Sequence, residues 1–234
     1  MKKEKKVKNL KLVGILVALS AVVFSCLNSD DNGFGNIEDT SWLAFVNASP
    51  GSESLKYYKN GNELNTPILN YGGFYGYLSQ KSEPTMYTVR TGTSNDLDTL
   101  NLDLGQNVYY SIFSVNTPDH IELISYIDNH ENAPSGKSAI RFIQLSPDSP
   151  PLKLLVEGED ADLGIFPFKQ ASTFKHVNHG VDKKLFLINS ETEEILATKS
   201  ISLGSGKSYS VFSKGLLNTT DENKKLDLQI IPLQ

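Results

Sequence analysis

The chain has 234 residues, 39% of them hydrophobic and 21% charged, a balance that supports packed cores and argues against a disordered or collagen-like protein. The formal net charge is −5, but residues 1–25 hold six lysines against Glu4, so the remainder carries −10. An acidic body of this kind repels phosphate backbones and anionic headgroups, and nucleic acid is therefore not an expected partner.

In chain order, a basic start through Lys11 is followed by an apolar run from Leu12 to Phe24 and by Ser25-Cys26. A helix of that length reaches roughly 20 Å at ~1.5 Å per residue. The hydrocarbon core of a bilayer is about 30 Å thick, so residues 1–25 are expected to be a cleaved signal peptide and not a span. Val23-Phe24-Ser25-Cys26 resembles the bacterial lipobox, which implies acylation of Cys26 and a membrane partner held through its acyl chains. Cys26 is also the only cysteine, so lipidation leaves no thiol for a disulfide, a thiolate metal site or a nucleophile. Two or more acyl chains hold a protein on a membrane where one does not.

Residues 26–40 are polar, Gly-bearing and aperiodic, and read as the lipidated Cys and a flexible tether. Within them Ser29, Asp30 and Asp31 resemble the acidic signal that sends lipoproteins to the cell surface in one phylum of Gram-negative glycan degraders. The expected location is the outer membrane, lipid-anchored and at the cell surface. The alternative is a solvated linker on the periplasmic face.

The body repeats itself. Residues 41–61 lie on 138–158 without a gap, with Ser41, Phe45, Ser49, Pro50, Ser52, Leu55, Lys56 and Gly61 opposite identical partners. Leu104-Gly105 through Ser114 matches Leu203-Gly204 through Ser213. The expected organisation is a first domain at 41–127, a linker at 128–137 and a second domain at 138–234. Period-two alternation marks strands at 85–91, 97–104, 108–114 and 121–127, and again at 184–189, 195–203, 208–213 and 226–231. Turn signals at Ser49-Pro50, Asn60-Gly61 and the two Leu-Gly pairs separate them. The expected fold is all-β: two tandem immunoglobulin-like antiparallel β-sandwich domains of six or seven strands each.

The element AFVNASPGSESLKYYKNG at 44–61, its echo RFIQLSPDSPPLKLLVEG at 141–158 and the later L-G-x₄-Y-S-[IV]-F-S strands together resemble a domain of unknown function, DUF4397. Tandem copies behind a lipobox are what that resemblance implies. Its motifs mark turns and core positions and imply no chemistry.

Segments that imitate reactive sites are weak. Gly206-Lys207-Ser208 and Gly136-Lys137-Ser138 lack the first Gly of a phosphate loop and the helix after it. His176 and His179, with His120 and His130 elsewhere, offer no zinc-ligand set, and no metal or cofactor is expected. No G-x-S-x-G occurs, although two of the 27 acids could meet as a glycosidase pair, so an unrecognised hydrolase is the remote alternative.

The domains differ at Tyr71-Gly72-Gly73-Phe74-Tyr75-Gly76-Tyr77, which stands where the second has Phe168 to Phe174. Tyr71 and Tyr77 are expected to face the sandwich core, leaving Phe74 and Tyr75 as candidate ligand-binding rings for a sugar or a partner protein. The other reading is that these rings fill the junction between domains. The expected function is non-catalytic: a lipid-anchored envelope protein for binding or scaffolding, with a glycan or an envelope protein as partner. A glycan-binding accessory of a polysaccharide-uptake system is the alternative.

Overall fold

Each run with alternating apolar and polar residues becomes a strand, because alternation puts one face on a core and leaves the other wet. The computed structural model describes residues 39–233 apart from 65, 93–94, 129–131 and 160–162. The signal peptide, Cys26 and Ser29-Asp30-Asp31 lie outside the described residues. The first half forms β1 (Thr40–Asn47), β2 (Leu55–Lys59), β3 (Asn62–Glu63), β4 (Phe74–Lys81), β5 (Pro84–Thr91), β6 (Asn95–Asp103), β7 (Tyr109–Val115) and β8 (Glu122–Ile127). The second forms β9 (Lys137–Gln144), β10 (Leu152–Val156), β11 (Ile165–Phe166), β12 (Lys175–Asn178), β13 (Gly180–Asn189), β14 (Ile195–Leu203), β15 (Ser208–Lys214) and β16 (Asp227–Leu233). Among the described residues the named helical elements are two three-residue 3-10 turns, at Pro118–His120 and Glu222–Lys224.

These strands make four four-stranded sheets, ordered β4-β1-β7-β8 and β3-β2-β5-β6, then β12-β9-β15-β16 and β11-β10-β13-β14. The second pair repeats the first strand for strand, giving two sandwiches of one design. The first and seventh strands of each pair in parallel, β1 with β7 and β9 with β15, and the other named strand pairs run antiparallel. The architecture is the two-sheet sandwich that immunoglobulin-like domains share, and its strand order differs from the ABED/CFG order of antibody domains. Eight strands form in each half because β3 and β11, two residues each, add short edges that alternation is too brief to reveal.

The recurring sequence positions recur as hydrogen bonds. Ser41 Oγ donates to the Gly105 carbonyl at 2.7 Å, and Ser138 Oγ to Gly204 at 2.7 Å. The Tyr110 hydroxyl accepts from Gly105 N at 3.0 Å, as Tyr209 does from Gly204 N at 3.0 Å. Asn47 Nδ2 donates to Ser52 at 3.0 Å, and Gln144 Nε2 to Ser149 at 2.9 Å. The Leu-Gly-x₄-Tyr spacing is thus a strand–turn–strand whose tyrosine satisfies its own turn.

Each sandwich has its own core, the first around Phe45, Tyr57, Tyr87 and Ile112, the second around Phe142, Leu154, Leu187 and Val211. A third core lies between them. Val46, Ala48, Phe113 and Val115 from the first inner sheet meet Ile143, Leu145, Phe212 and Ile231 from the second. Phe113 and Phe212 hold equivalent positions and touch edge to face, with centroids 5.3 Å apart. Contact between equivalent residues is the mark of an isologous interface, here fused within one chain. The inner strands are therefore buried on both faces, and β1, β7, β9 and β15 carry almost unbroken burial.

One charged pair sits inside this junction. Arg141 and Asp128 form a salt bridge with side chains 3% and 1% exposed. Arg141 also donates to Ser210 Oγ at 2.6 Å and to the Ile127 carbonyl at 2.7 Å. Asp128 accepts from Ser111 Oγ at 2.6 Å and from the Tyr77 hydroxyl at 2.7 Å. The guanidinium lies 5.0 Å from the Phe174 ring centroid. Burying charges this deeply is tolerable only because the guanidinium and carboxylate find such partners. Arg141→Ala is expected to lower stability by about 3–5 kcal/mol, since it strands the Asp128 carboxylate. The double variant Arg141→Met, Asp128→Leu should recover part of that loss, and urea unfolding midpoints measure both.

Candidate functional site

The aromatic and glycine segment that distinguishes the first sandwich sits at the junction. Gly73 N donates to the Asn70 carbonyl at 2.7 Å with Gly72 at φ +78°, a turn that needs glycine at its third position. The turn docks on the second sandwich: Gln229 Nε2 donates to the Gly72 carbonyl at 2.7 Å, and Lys214 Nζ lies 4.8 Å from the Tyr71 ring centroid. Burial pushes the Tyr71 phenol well above the ordinary tyrosine range, with the Asp227 charge adding to it.

Strand β4 then starts at Phe74, and its register with β1 shifts between Leu43 and Phe45. A bulge sets two residues against one and reverses the parity of everything beyond it. As a result Tyr75 and Leu78 both pack on the first sandwich core, while Phe74 and Tyr77 both pack on the junction core. Tyr77 was expected to face the sandwich core and instead lies on the junction side, donating to Asp128 at the end of β8, with burial raising its pKa. Phe74 and Tyr75 are half-buried packing residues: Phe74 fills the junction core, as the second reading of these rings has it, and Tyr75 packs on the first sandwich core. The second sandwich puts Ala171 on the same junction core, beside Phe168 and Phe174.

With both inner sheets covered, the broad wet faces are those of the two outer sheets, and they differ. In the first sandwich Lys56, Arg90 and Asp96 share one row across the strands, and Glu63, Tyr58, Thr88 and Thr99 share the next. Arg90 Cζ lies 4.1 Å from the Tyr58 ring centroid and its guanidinium pairs with Asp96, while Lys56 pairs with Glu63. The hydrogen bond from Lys56 holds the Glu63 carboxyl below the usual carboxylate range.

In the second sandwich the corresponding rows are Ile165, Lys153, Ile188 and Ile195, then Leu155, Phe186 and Thr198. Ile165 is 56% and Ile195 54% exposed. One backbone therefore carries a charged, aromatic-centred face on one side and an apolar face on the other. The gap-free alignment of 41–61 on 138–158 already sets Tyr58 against Leu155. The matching of Thr88 with Phe186 needs the strand register, which the sequence does not display. Among the described residues no group of three or more His, Cys, Asp or Glu side chains could hold a metal ion.

Residues 41–155 match the family model described as "Domain of unknown function (DUF4397)", a stretch that takes in the first sandwich and runs on to β10. No curated protein matches the chain. Among solved structures it is similar to a family 41 carbohydrate-binding module of streptococcal virulence factors, reported for alpha-glucan recognition, at 10% identity and a TM-score of 0.24, covering 80% of this chain and 96% of that one. A putative polysaccharide-binding protein (DUF1812) of Bacteroides thetaiotaomicron is similar at 10% identity and a TM-score of 0.24, covering 83% and 98%. A family 26 carbohydrate-binding module of Eubacterium rectale, solved with maltoheptaose, is similar at 11% identity and a TM-score of 0.24, covering 83% and 97%.

Replacing Phe74 and Tyr75 together by Ala is expected to lower stability by about 3 kcal/mol, less than two fully buried rings would cost because both are half-exposed. Thermal melts of the double variant measure it; an unchanged melt would mean that neither ring packs as described.

Proposed function

We propose that this chain is a non-catalytic, lipid-anchored protein of the cell envelope. In it two copies of the matched domain, fused through their inner sheets, hold their outer faces rigidly for binding. The observation that carries the reading is the divergence of those faces at equivalent positions: Tyr58, Arg90 and Asp96 on one, Leu155, Phe186 and Ile195 on the other. The same strand order and the same turn bonds form beneath both, so the fold requires neither set. Residues that a fold leaves undetermined, yet that differ this sharply in character, fit surfaces with separate partners.

In this reading Cys26 carries the acyl anchor, Ser29, Asp30 and Asp31 direct the protein to the outer surface, and residues 26–40 give it reach. The Cys26→Ala variant should incorporate no radiolabelled fatty acid. Alanine at 29–31 should shield the protein from protease added to intact cells, whereas the unchanged sequence should be digested.

The binding claim is tested with panels of glycans and purified envelope proteins, offered to the unchanged chain and to two variants. One is Tyr58→Ala with Arg90→Ala, the other Leu155→Ser with Phe186→Ser. The four side chains are partly exposed, so melting temperatures are measured alongside, and at least one variant should lose its partner about tenfold or more while still unfolding cooperatively. Failure to bind any glycan or envelope protein offered, or turnover of any glycan offered, would overturn the proposal.

A further inference from the structure

Beside Tyr58, on the outer face of the first sandwich, the sheet dips into an open cleft of about 480 Å³. Its walls come from the Asn60 turn, the start of β5 and the end of β6. Met86 lies opposite Asn101 in the register and Pro84 opposite Asp103. Asn60 closes the near end in the left-handed conformation, φ +48°, ahead of Gly61. It is pinned there by a hydrogen bond from Met86 N to its Oδ1 at 3.0 Å and from its own N to the Met86 carbonyl at 2.9 Å.

Thr85 Oγ1 donates to the Glu83 carbonyl at 3.0 Å, but other polar groups of this cleft are uncommitted. Asn60 uses Oδ1 and leaves Nδ2 over, and within the described residues neither the Asn101 amide nor the Asp103 carboxylate makes a hydrogen bond. Asn101 and Asp103 are two residues apart on one strand, so they stand about 7 Å apart on the same face. Between them and Asn60 lie apolar surfaces from Pro84 and Met86, the latter 39% exposed.

We infer that this cleft is a binding site for a neutral saccharide. The amides both donate and accept and the carboxylate accepts, as a ring bearing several hydroxyls requires. The proline and thioether surfaces suit the C–H face of such a ring. A divalent cation would want several oxygen ligands converging, and here a single carboxylate lines the cleft. An anionic sugar or phosphate would want a cation, and the lining has no Lys or Arg. The open, shallow form suits the side of a chain rather than its end.

The second sandwich has not kept this set. By the same register its equivalents of Asn60, Met86 and Asn101 are Glu157, Lys184 and Ser200, and Glu157 Oε2 accepts from Lys184 N at 3.0 Å. The site belongs to the first sandwich alone. It deepens the reading of this protein as a binding module and rests on that reading.

The test is binding of the full chain in detergent to immobilised neutral gluco-, manno-, galacto- and xylo-oligosaccharides, with polygalacturonate as the acidic comparison. At least one neutral chain should bind and polygalacturonate should not, because Asp103 repels a uronate. Asn101→Ala and Asp103→Ala should each weaken binding about tenfold, with unchanged melting temperatures because both side chains are exposed. Binding should persist in EDTA. Failure to bind any neutral saccharide, equal binding by both variants, or dependence on a divalent cation would each overturn the assignment. Equal binding by both variants leaves the binding function standing and moves the site elsewhere. A protein partner captured through Leu155 and Phe186, with no saccharide bound, leaves the function standing without the cleft.

Discussion

The structure depends on burying both faces of its inner sheets. A four-stranded sheet with one face on a core normally turns the other to water, but β1-β7 and β9-β15 have apolar residues on both. Those second faces find cover in each other. Phe113 against Phe212, with Val46 and Ile143 at equivalent positions, makes the junction a near copy of a homodimer interface. Arg141 stands where the first sandwich has Ala44, so the quasi-symmetry breaks at its centre. The small residue on one side and the long one on the other let a guanidinium reach Asp128, Ser210 and the Ile127 carbonyl. A paired charge of this kind fixes which face meets which more than it stabilises.

That junction sets where function can sit. It consumes two of the four broad faces and most of the aromatic residues that distinguish the first sandwich. Tyr71, Phe74 and Tyr77 join it to the second sandwich, through the Gly72 turn, the junction core and Asp128. Outer faces free of that duty have drifted apart. The first holds its ring under a guanidinium among paired charges, with an uncommitted polar cleft alongside. The second presents isoleucines, Leu155 and Phe186. A body with two unlike faces is suited to bridging, and the proposed saccharide site uses one of those faces.

By itself the sequence determined the longer alternating strands, the two-fold repetition and the all-β class. Period-two alternation is a local consequence of the pleat, and identities such as Ser41 with Ser138 and Leu104-Gly105 with Leu203-Gly204 survive because each makes a bond within its own turn or ladder. The Tyr58 and Leu155 contrast was legible for the same reason, lying in a gap-free block. Only the tertiary structure decided which face each ring of Tyr71–Tyr77 would take. A bulge opposite Ala44 reverses the parity of β4, and nothing in local periodicity announces one inserted residue. It alone brought Asn101 opposite Met86, Asp103 opposite Pro84 and Asn60 across from Met86, because cross-strand register joins residues that are far apart along the chain.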